Sequence, residues 1–278
     1  MKAPKSVDVH DLITASEFES YIRPIGQPLV IKEWMGHWPA MEKWTFPFFK
    51  EEYGRDGIQI SASIKNQSLA LQVALGDFID YILDPASSGL SRLKALLDLP
   101  HPLYTYSYKP FGNHPELLKD FQLPPFVDDW FPHFNRQFRR QHFPFQQGWI
   151  LIGPRGTVSE LHGDANNTIT WLAQIRGRKR CILFSPEDEH VYNGAVDPLK
   201  PDLAAFPTFA EAQPYECVLE PGSMLFLPPN WWHHVVALED SITLSYNIVN
   251  HINFGDYLAK AFGDSLPNLL PHFPGDWD

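Results

Sequence analysis

Between Trp149 and Val249 the chain breaks into eight short segments rich in apolar, aromatic and β-branched residues: 149–152, 157–163, 169–176, 180–184, 216–219, 223–227, 233–237 and 241–249. Gly or Pro stands between most of them. Segments this short cannot form helices that bury a useful face, and their composition suits a pleated surface. A succession of short strands with turn residues between them specifies a sandwich or barrel. With 278 residues, the chain is long enough to bury a core without a disulfide or metal staple.

The first half reads differently. Ser16-x-x-Glu19 is a capping-box pattern ahead of Phe18, Tyr21 and Ile22 and predicts a short helix. Residues 28–32 read as a strand and 38–44 as a turn or short helix. Thr45 caps a helix that runs through Phe48 and Phe49 and ends at Gly54. Residues 58–63 alternate as a strand does, 75–83 are apolar on one side of a helix, and 103–109 alternate aromatic with polar residues. The span 111–145, rich in Pro, Phe and Trp, carries no assignable period. Its aromatic stretch from Trp130 to Phe145 is compatible with a substrate groove, core packing or dimer packing. Residues 256–262 and 266–270 read as terminal helical pieces. No repeat or linker is visible. The expectation is one domain over 1–278, with an N-terminal extension and first strands over 1–145, a β-rich core over 146–250 and a helical tail over 251–278.

Charge and composition restrict the partners. Lys plus Arg number 22 against 33 for Asp plus Glu, a formal net charge of −11. Proteins that grip a nucleic-acid backbone carry a basic excess, so this balance argues against that partner. The one basic cluster that stands out is Arg176-Gly-Arg178-Lys179-Arg180. No apolar run approaches the roughly 18 residues of a membrane-crossing helix. The N-terminus has no apolar core of a secretion signal. Cys181 and Cys217 have no metal-ligand spacing and read as buried thiols. Together these features lead us to expect a cytoplasmic protein with no membrane partner.

Two constellations carry chemistry. In His162-Gly-Asp164 the side chains two apart share one face of a strand, so both can reach one metal. Further on, Pro221-Gly-Ser-Met-Leu-Phe-Leu-Pro-Pro-Asn-Trp-Trp-His-His234 leads through an apolar strand to adjacent histidines. Neighbouring strand residues face opposite ways, so at most one of His233 and His234 can bind that metal. Two imidazoles and one carboxylate are the donor set of non-haem Fe(II) oxygenases, which leaves three coordination positions open. His190, beside Glu187, Asp188 and Glu189, reads as part of a solvated acidic loop.

From about residue 18 to 250 the chain resembles the cupin-like JmjC hydroxylases, the group that includes the asparaginyl hydroxylase acting on hypoxia-inducible factor. The resemblance rests on Pro28-Leu-Val-Ile31, His37-Trp-Pro-Ala-Met-Glu-Lys-Trp44, Ala173-Gln-Ile-Arg-Gly-Arg-Lys-Arg-Cys-Ile-Leu-Phe184 and Trp231-Trp-His-His234. It implies an all-β double-stranded β-helix (cupin or jelly-roll, JmjC) barrel with an N-terminal α/β extension and C-terminal helices. It implies Fe(II) held by His162, Asp164 and His233, with 2-oxoglutarate as co-substrate and O2 as oxidant. Succinate and CO2 would leave as a C–H bond in a protein, peptide or amino-acid substrate is hydroxylated. By the same resemblance Lys179, Tyr104 and Ser159 match the groups that hold the far carboxylate of 2-oxoglutarate, and Asn247 matches an asparagine near the metal and co-substrate. A further family asparagine falls at Thr170 counted back from Ala173, or at Thr168 counted forward from His162. The interval from His162 to Lys179 is two residues longer than the family's, and Ser223 stands where an acidic residue is usual. Homodimers through C-terminal helices are common in the family, and residues 256–270 are the candidate here. The alternatives are a JmjC-type N-demethylase, a non-catalytic metal- or ligand-binding cupin, and a metal-dependent cupin enzyme that does not use 2-oxoglutarate; an enzyme would need Lys179 only if it uses that acid.

Overall fold

A computed structural model of the chain describes residues 1–22, 26–64, 67–134 and 148–263. The expected helical piece at 266–270, and all of the aromatic stretch beyond 134, lie outside those residues. Fourteen strands form among the described residues: β1 Lys5–Ser6, β2 Asp8–His10, β3 Leu29–Ile31, β4 Gly57–Ile64, β5 Gln67–Ala74, β6 Thr105–Tyr108 and β7 Trp149–Gly153, then β8 Val158–His162, β9 Ile169–Arg176, β10 Lys179–Phe184, β11 Tyr215–Leu219, β12 Met224–Leu227, β13 Trp232–Ala237 and β14 Ser241–Ile248. They build a five-stranded sheet in the order β1-β11-β10-β13-β8 and a seven-stranded sheet in the order β2-β3-β12-β9-β14-β7-β6, with β4 and β5 as a separate hairpin. Both large sheets are mixed, because β1 lies parallel to β11 and β2 parallel to β3. From β7 to β14 the chain passes between the two sheets in jelly-roll fashion. All eight expected core strands are present to within two residues at each end.

Two cores hold these layers. Between the sheets, Leu172, Leu225 and Leu227 of one meet Cys181, Leu183, Leu219 and Val235 of the other. On the far face of the seven-stranded sheet, Trp171, Ala173, Met224 and Phe226 pack under the N-terminal helices, through Phe18, Phe49 and Phe78. Strand β9 is therefore buried on both faces along nearly its whole length. That is why its apolar residues fall on both faces rather than alternating with exposed polar ones, and why its polar Thr170 and Gln174 are buried as well. At its end Gly177 takes a positive φ of 68°, where a Cβ would come within 2.1 Å of the Asp240 carbonyl oxygen. Only glycine makes this turn without displacing backbone, and the turn delivers Lys179 to the start of β10.

The N-terminal helices follow local signals, with one correction. Helix α1 (Ala15–Ile22) is not capped by Ser16. Thr14 Oγ1 accepts from the Glu17 backbone N–H at 3.2 Å, and the Thr14 N–H donates to the Glu17 carboxylate at 2.9 Å. The reciprocal box thus begins two residues earlier than expected, which gives a full first turn before Phe18 and Ile22 bury together. After the short α2 (Ala40–Lys43), α3 (Phe46–Tyr53) starts at Thr45, whose hydroxyl accepts from Phe48 N–H, and stops at Gly54 as expected. Helix α4 (Leu75–Leu83) buries Leu75, Phe78, Ile79 and Ile82 and has the expected bounds. Helix α5 (Gly89–Leu96) fully buries no residue, and so left no apolar stripe to read. Helix α6 (Phe254–Phe262) packs Tyr257 and Leu258 on Phe131, Phe134 and Val249.

Cys181 and Cys217 are free thiols that stand directly opposite each other on β10 and β11. A hydrogen bond with Cys181, together with burial, pushes the Cys217 thiol well above its usual range. Among the described residues, no helix is long and apolar enough to cross a membrane.

Candidate active site

The β8–β13 pairing makes the site. His162, the last residue of β8, stands opposite His233 on β13, and the two rings lie 4.1 Å apart. Asp164 follows in extended conformation just past the strand end. One ligand atom from each of His162, Asp164 and His233 lies within 4.8 Å of the others. The imidazole nitrogens are already sorted. His162 Nδ1 is 2.7 Å from the Glu160 carbonyl, and His233 Nδ1 is 3.2 Å from the Trp231 carbonyl. In each case the partner is the backbone oxygen two residues earlier. A carbonyl accepts only, so both Nδ1 atoms carry hydrogen, and Nε2 is in each ring the nitrogen left to face a metal. Burial pushes His233 down to about 4, against the smaller opposing pull of Asp164. It is therefore neutral at pH 7, and its 4.0 Å approach to the Asp164 carboxylate is not an ion pair. This donor set fits a divalent transition metal such as Fe(II).

His234 faces the other way. Alternation places it with Ile182, under the segment 189–212 that packs on the outer side of the five-stranded sheet. It is buried, and neither ring nitrogen has a hydrogen-bond partner among the described residues. Burial lowers its pKa as well. Of the two adjacent histidines, His233 alone shares the side of the strand on which His162 and Asp164 converge.

The triad opens into a cavity of about 600 Å³ whose wall includes Lys179, Tyr104 and Ser159. Lys179, 2% exposed, donates to the Tyr104 hydroxyl at 3.2 Å and lies 5.5 Å from the centre of that ring. Ser159 hydrogen-bonds the same phenol oxygen, whose pKa burial raises strongly. In a regular strand Ser159 and His162, three apart, would face opposite sides. A register shift in the β8–β13 ladder lets both reach the cavity. Desolvation lowers the Lys179 ammonium to about 8. The cavity thus carries a dry cation at one end and the His/Asp donor set near its mouth, where His162 is exposed.

Thr170 and Asn247 are also together, but around Asp164. The Thr170 hydroxyl bonds the Asp164 carboxylate and lies 3.1 Å from Asn247 Oδ1, while Asn247 Nδ2 is 2.9 Å from the Thr168 hydroxyl. Thr170 is on the cavity wall and Asn247 lies behind it. Between His162 and Lys179 the chain makes the turn Ala165–Asn167, where Asn166 and Asn167 take positive φ of 61° and 55°. Asparagine tolerates that conformation better than most residues. Asn253 braces the turn by donating to the Asn167 carbonyl at 2.8 Å. Sequence reading did not find the rim residues His101, Tyr106, Lys109, Trp149 and Glu160. They come from four separate segments, and no local pattern marks them.

The three arginines of the basic cluster make internal contacts, while its Lys179 lies in the cavity. Arg180 pairs with both oxygens of Glu216 at 2.6 and 2.9 Å, Arg178 pairs with Glu239 at 2.8 Å, and Arg176 donates to the carbonyls of Ile175 and Glu42.

A family model described as "Cupin-like domain" matches residues 15–253. The chain belongs to the cupin-like domain family. Among curated relatives, this cupin-like chain is 37% identical over 257 residues to tRNA wybutosine-synthesizing protein 5 of Danio rerio, covering 84% of this chain and 72% of that one. It is 30% identical over 245 residues to Lysine-specific demethylase JMJ21 of Arabidopsis thaliana, covering 82% of this chain and 24% of the relative. It is 24% identical over 279 residues to Bifunctional peptidase and (3S)-lysyl hydroxylase JMJD7 of Homo sapiens, covering 85% and 84%. The chain spans about a quarter to a half of the length of several relatives it matches.

Proposed function

We propose that this chain is an Fe(II)- and 2-oxoglutarate-dependent oxygenase that hydroxylates an amino-acid side chain in a protein or peptide. The observation that carries the reading is one cavity holding both the converging His162, Asp164 and His233 and the buried Lys179–Tyr104–Ser159 cluster. In this reading His162, Asp164 and His233 hold the iron. With 2-oxoglutarate and O2 bound, the iron supplies the oxidising chemistry, by which one oxygen atom enters succinate as CO2 leaves and the other enters a C–H bond. The chain's own part is placement and electrostatics. Lys179 offers a compact charge to the far carboxylate, and Tyr104 and Ser159 offer hydroxyls to the same group. The two imidazoles are tethered to backbone carbonyls, and Leu151, Leu172 and Val235 give the pocket apolar walls.

The relatives' names include demethylases, a lysyl hydroxylase and a tRNA-modifying protein. A net charge of −11 and the internal pairing of Arg176, Arg178 and Arg180 favour a protein or peptide over RNA. We take the two facing sheets as the double-stranded β-helix of a single domain and the free thiols as the mark of a reducing, cytoplasmic setting. A homodimer through the C-terminal helices belongs to the same proposal; within one chain α6 already buries Tyr257 and Leu258.

The test is succinate release from 2-oxoglutarate with Fe(II) and O2, for the wild type beside His162→Ala and Lys179→Ala. Slow uncoupled release by the wild type alone is the expected result. Failure of the wild type to bind 2-oxoglutarate at all would overturn the reading in favour of a metal-binding cupin.

A further inference from the structure

The hydrogen bonds around Asp164 pose a proton-counting problem. Thr170 Oγ1 is bonded to Asp164 Oδ2 and lies 3.1 Å from the amide oxygen of Asn247, while the amide nitrogen of Asn247 lies 2.9 Å from Thr168 Oγ1. A hydroxyl has one proton, and a carboxylate able to bind a metal is ionised and only accepts. If Thr170 gives its proton to Asp164, two oxygens are left facing each other at the Asn247 contact. A half-turn of the Asn247 amide about its last bond removes the conflict. Its N–H then donates to Thr170, its carbonyl accepts from Thr168, and every contact keeps a proton. The two threonines are shielded from competing water, at 6% exposed for Thr168 and 3% for Thr170.

We infer that Thr168, Asn247 and Thr170 form a hydrogen-bond relay that ends on Asp164 and holds this carboxylate in one orientation for the metal. Thr170 and Asn247 are in this view positioning residues for a ligand. The register supports it, because Asn247 on β14 is the direct cross-strand partner of Thr170 on β9. The far end is also fixed, since Asn253 on the C-terminal side clamps the turn that joins Asp164 to Thr168. Outer partners of metal ligands commonly change affinity by about 10–100-fold when removed.

The inference rests on the metal-site reading above, and the test separates the two. Mn(II) is titrated into the purified full chain and followed by the loss of the free-ion electron paramagnetic resonance signal, for the wild type, His162→Ala, Thr170→Val, Thr170→Ser and Asn247→Leu. Thermal melting of each variant is recorded alongside. The expected result is weaker Mn(II) binding by roughly 10–100-fold in Thr170→Val, a smaller loss in Asn247→Leu, and recovery to within about threefold of wild type in Thr170→Ser, which keeps the hydroxyl. A purely structural role for Thr170 would shift the melt without this pattern of loss and rescue. Wild-type affinity in a folded Thr170→Val overturns the relay and leaves the metal site standing. Should Thr170→Val not fold, wild-type affinity in Asn247→Leu overturns it instead. Absence of Mn(II) binding by the wild type itself would remove the metal-site reading, and the relay with it.

Discussion

Lys179 Nζ stands 3.2 Å from the Tyr104 hydroxyl, in a pocket where the lysine is 2% exposed. Desolvation lowers its ammonium to about 8. A bound dicarboxylate would restore the charge, so binding takes up a proton once the free protein has lost it. We expect the affinity for 2-oxoglutarate to be flat below pH 8 and to weaken by up to tenfold per pH unit above it. Calorimetric titration across pH 7–10 checks this. Lys179→Ala should bind about 10–100-fold more weakly, the range for a charge-assisted hydrogen bond of roughly 1.5–3 kcal/mol, with Tyr104→Phe losing less. An unchanged constant in Lys179→Ala would show that the lysine is not the anchor.

His234 is buried with both ring nitrogens unpartnered, a cost without a visible return in the described residues. Replacing it by Leu removes two desolvated polar atoms at similar volume. The expected outcome is a stability equal to wild type or higher by about 1–3 kcal/mol. Mn(II) binding should be retained, whereas His233→Leu loses it. Urea denaturation and metal titration of the two variants provide the comparison, and a large destabilisation of His234→Leu would reveal a partner for this ring.

Asp129 is half-buried, with Phe131 N–H donating to its carboxylate at 3.1 Å and Val249 contributing a second backbone bond. Burial outweighs these bonds and pushes its pKa up to about 7, against 3.8 for the free group. The folded state therefore holds a proton that the unfolded state has released between about pH 4 and 7. Stability falls as pH rises through that window and levels off above it. Asp129→Asn keeps the acceptor oxygen and cannot ionise. Its melting temperature should vary less between pH 4.5 and 7.5 than that of wild type, and parallel pH profiles would count against this assignment.

Thr14 caps α1, and Ser16 does not. Thr14→Ala should cost about 1 kcal/mol in denaturant unfolding. Ser16→Ala should stay within about 0.5 kcal/mol of wild type, as exposed positions usually do. The reverse order would restore the cap expected from sequence.

The sequence by itself determined the parts that depend on neighbours along the chain. Alternation and turn residues placed the eight strands of the jelly roll, and the apolar face of 75–83 placed α4 with its ends. The spacing of His162 and Asp164, and the opposite facing of His233 and His234, follow from the pleat of a strand. Strands β1 and β2 were illegible, because two or three residues gain their order only by lying along β11 and β3. Tertiary structure alone decided cross-strand company. It set Cys181 opposite Cys217 and Asn247 beside Thr170. It turned Arg178 and Arg180 onto Glu239 and Glu216, and it bulged β8 so that Ser159 could join Lys179 and Tyr104. Thr14 and Ser16 both fit the capping pattern, and the burial of Phe18 and Ile22 chose between them. The physical reason is common to all of these: side-chain period is a local property, whereas register is settled by contacts between segments as far apart as Lys5 and Tyr215, which no local pattern encodes.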